Sequence, residues 1–357
     1  MRRRVFLAGL GVLGALLLGC LLCVWRLHAL SNLLPDQHAA ERWQGDSDMD
    51  FSQFSLFMAR DQKLSRDDVY AFRSEMFKKL EEASLDPRAN SGLLHDAWST
   101  SLTLKAANGQ RSGSVEVIPV GGGFFDFHPL RLISGSYLRP EDVMDDRVLL
   151  DKEAAWMLFG GTDLAGMSFT LEGAPFVVAG VYEHASDSFS RSAEGDGMRI
   201  YMSYAAFERL LPERSGITCY ELVMADPVRG FVRNAVAEKF PVKSAESVEN
   251  SGRFSAERLY ALLKEGSRRS MRTGAAVYPA WENAARAVED RAAQYLVAAV
   301  ALGLLPILLL GYQLLRLVHH GRRRLGDDYL PEAHRRLKEL YRVRARQRWE
   351  RRHPDMR

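Results

Sequence analysis

The chain has 357 residues, 47% hydrophobic and 10% aromatic, with 48 Lys plus Arg against 45 Asp plus Glu for a formal net charge of +3. That composition excludes a disordered or collagen-like polymer and suits one or two packed domains. A mean hydropathy of −0.19 conceals two apolar runs, and these divide the chain.

Val5 to Trp25 is 21 residues without a charge, and Tyr295 to Leu315 is another 21 in which Gln313 is the one strongly polar residue. At about 1.5 Å per residue, either run crosses a hydrocarbon layer of about 30 Å. Arg2, Arg3 and Arg4 resemble the n-region of a signal peptide. The apolar stretch is longer than an ordinary h-region, however, and Leu21 to Trp25 continue past the lipoprotein-like box Leu17 to Cys20. An uncleaved anchor is therefore the preferred reading. Residues 1–26 carry +4 and residues 316–357 carry +8, leaving −9 for residues 27–315. Because Lys and Arg beside a span stay on the cytoplasmic side, both termini are expected in the cytoplasm of a two-pass inner-membrane protein. The acidic domain between the spans is then extracytoplasmic. Its charge excludes nucleic acid as the main partner, while the basic tail suits anionic lipid. Cys20 and Cys23 fall in the first run, and Cys219 reads as a buried small hydrophobe rather than a reactive thiol.

After a polar linker near Pro35 to Asp50, Phe51 to Ala59 reads as a strand. A helix follows, capped by Ser65, with Asp67 and Asp68 in its first turn and Val69, Phe72, Met76, Phe77 and Leu80 at helical spacing. Leu102 to Lys105 and Val115 to Val120 read as strands, the second alternating Val115, Val117 and Pro119 against Glu116 and Ile118. Arg147 to Leu150 is a short strand, and Lys152 to Phe159 a helix stopped by Gly160 and Gly161. Met167 to Leu171 and Pro175 to Val181 flank Glu172, Gly173 and Ala174 as a hairpin. Met198 to Met202, Tyr204 to Leu211, Ile217 to Met224 and Phe231 to Phe240 continue the strand and helix alternation. From Ser255 the pattern is helical, with a break at Pro279, and feeds directly into the second span. The fold class expected is α+β, flanked by two transmembrane helices.

Between Gly121 and Val181 a set of landmarks falls in a fixed order. Gly123-Phe124-Phe125 comes first, then Leu132, Gly135 and Tyr137-Leu138. Arg147-Val148-Leu149-Leu150-Asp151 and Leu158-Phe159-Gly160 follow, then Leu164 to Gly166, and finally Phe176-Val177-Val178-Ala179-Gly180-Val181. This ordered block resembles the periplasmic core domain of MacB-type and FtsX-like ABC transporter permeases. The resemblance implies a MacB-like domain inserted between the first and second membrane helices. It also implies a non-enzymatic membrane component of an ABC-type export or mechanotransmission complex. No Walker motif occurs and no third or fourth apolar run follows. The ATPase domain and the last two transmembrane helices of the family are thus expected to be lacking, with the ATPase supplied by a separate subunit. A further permease subunit, membrane lipid and a second copy in a dimer are the other partners expected. The alternative is a membrane-anchored extracytoplasmic scaffold or ligand-binding protein not coupled to ATP.

The expected organisation is residues 1–4 as cytoplasmic N-terminus, 5–25 as the first span, 26–50 as linker and 51–254 as the MacB-like domain. Residues 255–294 form a helical stalk, 295–315 the second span and 316–357 the basic cytoplasmic tail. Within the stalk, Arg272, Tyr278, Pro279, Trp281, Glu282 and Asn283 mark either a hinge or plain interfacial anchoring, since Trp and Tyr favour the membrane interface and Pro kinks a helix. Pro306 adds a kink or a packing site in the second span. In the tail, Leu337, Leu340, Tyr341 and Trp349 lie on the apolar strip of a basic helix that either rests on anionic lipid or docks on an ATPase.

No catalytic, cofactor-binding or metal set is expected. His28, His38, His95, His128 and His184 are scattered in sequence, and no HExxH, CxxC or GxSxG spacing occurs. Gly121 to Gly123 read as a turn before an aromatic anchor, because a phosphate cradle would need GxxxxGK[ST]. Asp187, Glu194 and Asp196 read as a solvated loop before a cation site.

Overall fold

The structure is a computed structural model that describes residues 2–62, 64–139, 142, 144–270, 276–324 and 330–352. In chain order its elements are α1 (Arg2–Ser31), α2 (Ala39–Gln44), β1 (Phe51–Phe57), α3 (Arg66–Glu82), β2 (Leu94–Ser99), β3 (Leu102–Asn108), β4 (Arg111–Gly122), α4 (Phe124–Phe127), β5 (Arg131–Gly135) and β6 (Arg147–Asp151). There follow α5 (Lys152–Leu158), β7 (Ser168–Leu171), β8 (Ala174–Glu183), α6 (Ser188–Glu194), β9 (Arg199–Ser203), α7 (Tyr204–Leu210), β10 (Cys219–Ala225), α8 (Phe231–Lys239), β11 (Glu246–Glu249), α9 (Ala256–Ser270), α10 (Ala280–Arg324) and α11 (Leu330–Arg352). They form two units, residues 26–296 and residues 1–25 with 297–357. The α+β domain is flanked by two apolar helices long enough to cross a membrane, Gly9–Ser31 and Ala280–His319.

In the larger unit one sheet runs β11-β1-β10-β2-β4-β3-β7-β8-β6-β9, with β5 beside β8. The parallel pairing of β4 with β9 returns the path to β4, so β4-β3-β7-β8-β6-β9 closes into a small barrel and β11-β1-β10-β2 extends from it as an antiparallel wing. Closure removes free edges. It also buries β4 on both sides: Val115 and Val117 join one apolar cluster, while Ile118 and Val120 join another. Ile118 thus lies opposite Val115 and Val117, as the alternation expects, with its own face buried too.

α3 forms as its sequence dictates. Ser65 accepts from the Asp68 N–H, the Asp68 carboxylate answers to the Ser65 N–H, and Val69, Phe72, Met76 and Leu80 are buried. The hairpin is present as β7 and β8, turning at Glu172 and Gly173 with both φ angles positive. β2 carries no apolar pattern because Asp96, buried in it, is held by Arg73 through bonds of 3.0 and 2.6 Å and by the Tyr220 hydroxyl at 2.9 Å. The stretch read as a polar linker is packed: it holds a 3-10 turn at Pro35–His38 and α2, with Gln37, Ala39 and Ala40 buried. The buried Gln53 amide accounts for this, accepting from the Ala39 N–H at 2.9 Å and donating to the Asp36 carbonyl at 2.7 Å. Cys219 is buried beside Phe57 and Val248, and burial pushes its thiol pKa up.

In the smaller unit, α1 meets the later part of α10 where Cys20 Sγ lies 3.3 Å from the Ala299 carbonyl. A Cβ on Gly19 would stand 3.2 Å from Leu302, and one on Gly303 would stand 3.3 Å from Cys20.

Candidate functional site: a buried charge network on one face of α10

Arg253, in the turn after β11, has a side chain 1% exposed and surrounded by carboxylates. Its Nη1 and Nη2 donate to the two Glu282 oxygens at 2.7 and 2.9 Å, a bidentate fork. Nη1 also donates to Gln37 at 2.9 Å and Asn250 at 3.3 Å. Nη2 reaches Glu289 at 3.4 Å, and Nε adds a charge contact to that carboxylate at 2.9 Å, outside hydrogen-bond alignment. Burial works against this guanidinium, but Glu282 and Glu289 outweigh it and raise its pKa.

Glu282, Arg286 and Glu289 recur at i, i+4 and i+7, so one face of α10 presents all three. Arg286 donates to Glu282 at 2.7 Å and to Glu246 on β11 at 2.7 Å, and its guanidinium lies 3.9 Å from the Tyr278 ring centroid. The Tyr278 hydroxyl donates to the other Glu246 oxygen. Burial and then that carboxylate push the Tyr278 pKa up to about 12.

From Arg253 the network crosses the wing of the sheet. Asn250 donates to Ser55 at 2.8 Å, Ser55 donates to Glu221 at 2.9 Å, and the second Glu221 oxygen pairs with His128 Nε2. His128 Nδ1 faces Asp36 at 3.4 Å. Burial lowers the His128 pKa, but Glu221 and Asp36 together push it up to about 10, so the ring is an imidazolium at neutral pH. Trp281 closes the circuit, its ring 4.4 Å from His128 and 5.5 Å from Phe124. Trp281 of the expected stalk and Phe124 of the Gly123-Phe124-Phe125 landmark, 157 residues apart in sequence, are thus in contact.

Beside this contact lies a cavity of about 540 Å³ lined by His128, Tyr182, Tyr201, Tyr278 and Trp281. The Tyr182 hydroxyl, His128 Nδ1 and Trp281 Nε1 are buried without a hydrogen-bond partner. The site is a charge-compensated rivet with a polar hollow beside it.

Of the stalk residues named from the sequence, Tyr278, Trp281 and Glu282 lie in the network. Pro279 precedes α10 and accepts from the Asn283 N–H at 3.1 Å, while the Asn283 amide donates to the Tyr278 carbonyl at 3.3 Å. Arg272 lies outside the described residues. In α11, Leu337, Leu340 and Tyr341 are exposed; Trp349 lies in the same helix, its side chain outside the described residues. Sequence reasoning missed Arg253, Arg286, Glu289, Glu246, Glu221 and His128. The i, i+4, i+7 charges of α10 were a usable signal for part of the set.

Gly121 to Gly123 are glycines for a steric reason. A Cβ on Gly121 would stand 2.3 Å from the Trp98 indole, and one on Gly123 would stand 2.0 Å from the His95 ring. A second carboxylate cluster gathers at His184. Its Nε2 lies 3.2 Å from both Asp151 and Glu153 and its Nδ1 lies 2.7 Å from Glu194. Asp151, Glu153 and His184 can each bring one atom within 4.8 Å of the others, as a cation would need. Both Asp151 oxygens already accept backbone N–H groups, from Ala154 and Arg199, and Asp151 and Glu194 push the His184 pKa up to about 10. The imidazolium is itself the cation of this cluster. Asp187 caps α6, its Oδ1 accepting from the Phe189 and Ser190 N–H groups.

The α+β domain and its two flanking apolar helices are those of a membrane protein with an extracytoplasmic domain. The chain belongs to the MacB-like periplasmic core domain family, whose profile matches residues 36–241. Asp36, Ser55, His128 and Glu221 fall inside the matched segment, while Arg253, Glu282, Arg286 and Glu289 lie beyond it. Two similar solved structures are the extracellular domain of the noncanonic ABC-type transporter YknZ from Gram-positive bacteria and the periplasmic region of MacB from Actinobacillus actinomycetemcomitans. The first is 12% identical with a TM-score of 0.39, over 56% of this chain and 100% of that one. The second is 15% identical with a TM-score of 0.42, over 62% of this chain and 93% of that one. No curated protein matches the sequence.

Proposed function

We propose that this chain is a two-pass, non-enzymatic component of an ABC-type export or mechanotransmission complex, with both termini cytoplasmic and its ATP hydrolysed by a separate subunit. Val5 to Trp25 and Tyr295 to Leu315 cross the membrane. The observation that carries the reading is the rivet of Arg253 to Glu282 and Glu289. It fixes the core domain to α10, a helix continuous from Ala280 to Arg324 that contains the second apolar run. A helix transmits displacement where a Gly/Ser linker would absorb it, so movement of the domain and of the span are coupled through this face. α11 lies on anionic lipid through its Arg-rich surface.

The test is a mild-detergent pulldown of the tagged full-length chain, with mass spectrometry of its partners and ATPase activity assayed on the eluate. A co-purifying Walker-containing ATPase supports the reading. A clean eluate without ATPase refutes it and favours the extracytoplasmic scaffold or ligand-binding protein, for which the 540 Å³ cavity beside the unbonded Tyr182 hydroxyl and Trp281 Nε1 is the supporting observation.

A further inference from the structure

α9 has an apolar arc wider than the seam in which it packs. Leu259 and Leu262 are buried against Ala292, Ala293 and Leu296 of α10 and Leu27 and Leu30 of α1. At about 100° per residue around a helix, Leu263 lies about 40° and Tyr260 about 100° beyond Leu259, on the side away from Leu262. These two residues prolong the arc but are 41% and 56% exposed. Past Tyr260 come Lys264 and the exposed Glu257. Lys264 holds its Nζ 4.5 Å from the Tyr260 ring centroid.

The partners of the buried half set its level. Leu27 and Leu30 follow Trp25, where the first charge-free run stops, and Ala292 and Ala293 precede Tyr295, where the second begins. Trp and Tyr at the ends of apolar runs mark the boundary between hydrocarbon and headgroups. The open shoulder of α9 therefore stands at that boundary. Leucine and tyrosine edged by Lys264 match what a helix lying in a bilayer surface requires, with apolar side chains downward and a long basic stem reaching phosphate.

We infer that α9 is an interfacial helix whose Leu263 and Tyr260 enter the outer leaflet while Lys264 meets lipid phosphate, bracing the core domain against the membrane. This rests on the two-span reading proposed above. The occupant is lipid because the shoulder continues the packed seam at the membrane boundary and Lys264 stands at its edge.

The experiment uses the full chain carrying Cys20→Ser and Cys23→Ser, reconstituted in vesicles containing anionic phospholipid. A single nitroxide is placed through Leu263→Cys, and its collisions with oxygen and with a water-soluble nickel chelate are compared. Leu308→Cys, in the second apolar run, and Val228→Cys, on the loop before α8, serve as references, being 64% and 71% exposed in the wild type. Cys219, 1% exposed, is shielded from the label. The expected result is that oxygen exceeds the chelate at 263 as it does at 308, the reverse of the order at 228. An aqueous pattern at 263 overturns the inference. Low access to both reagents there also overturns it, because a protein partner or second copy would then cover the shoulder. An aqueous pattern at 308 would refute the two-span reading itself and the α9 proposal with it, so the two failures are distinguishable.

Discussion

Replacing Arg253 with Met tests the rivet directly. The side chains of Arg253, Glu282 and Glu289 are 1%, 2% and 2% exposed, so the carboxylates have no bulk water to fall back on. Removing one partner of a buried ion pair costs about 3–5 kcal/mol, since a charge is left uncompensated in a medium of low polarity. Arg286 still donates to Glu282 at 2.7 Å, which places the loss near the lower end, about 3 kcal/mol. For a unit of this size, about 2–4 °C of melting temperature per kcal/mol gives a fall of about 6–12 °C. The assay is thermal unfolding of the purified full-length chain in detergent, run as a cycle with Glu282→Gln and the double variant. Adjacent partners in one network should couple by about 1–3 kcal/mol. Arg253→Lys should fall between wild type and Met, because an ammonium keeps the charge and loses the two-pronged fork. If Arg253→Met melts within a degree of wild type, or the cycle shows no coupling, the reasoning is refuted.

Four further outcomes follow from the same structure. His128 has its pKa raised from 6.5 to about 10 in the folded protein, so its contribution is fully present below about pH 6.5 and is lost as pH climbs to about 10. Denaturant melts between pH 6 and pH 10 should therefore show a steeper loss for wild type than for His128→Gln, and parallel slopes would remove the charge pair from the account. Gly121→Ala forces a Cβ to within 2.3 Å of the Trp98 ring and should cost about 1–3 kcal/mol by overpacking, measurable as a lowered denaturant midpoint. Pro279→Ala, at the entry to α10, should alter the activity of the assembled complex without changing protein abundance; equal loss of both, read by immunoblot beside ATPase rate, would assign it to folding alone. Deleting residues 330–357 should leave ATPase co-purification intact if α11 rests on lipid, and loss of the ATPase from the pulldown would identify α11 as its docking site instead.

What the sequence determined by itself was what short-range chemistry controls. Uncharged runs of 21 residues define apolar helices because backbone groups in hydrocarbon must be satisfied within the segment. Ser65 and Asp68 cap α3 from three residues apart, and Glu172 with Gly173 turns the hairpin. The ordered landmarks from Gly121 to Val181 carried the family because several are points of close backbone or ring approach, as Gly121 and Gly123 are under Trp98 and His95. Tertiary structure alone decided the rest. Barrel closure through β4 and β9 joins strands more than 70 residues apart and buries Ile118 and Val120 on the second face of β4 as well. β2 was silent because its Asp96 is satisfied only by Arg73 and Tyr220 from other elements. The charge network went unread for the same reason. A lone Arg253 or His128 in a sequence looks like surface, and only the carboxylates that the fold brings from 29 and 93 residues away make burial of either cation affordable.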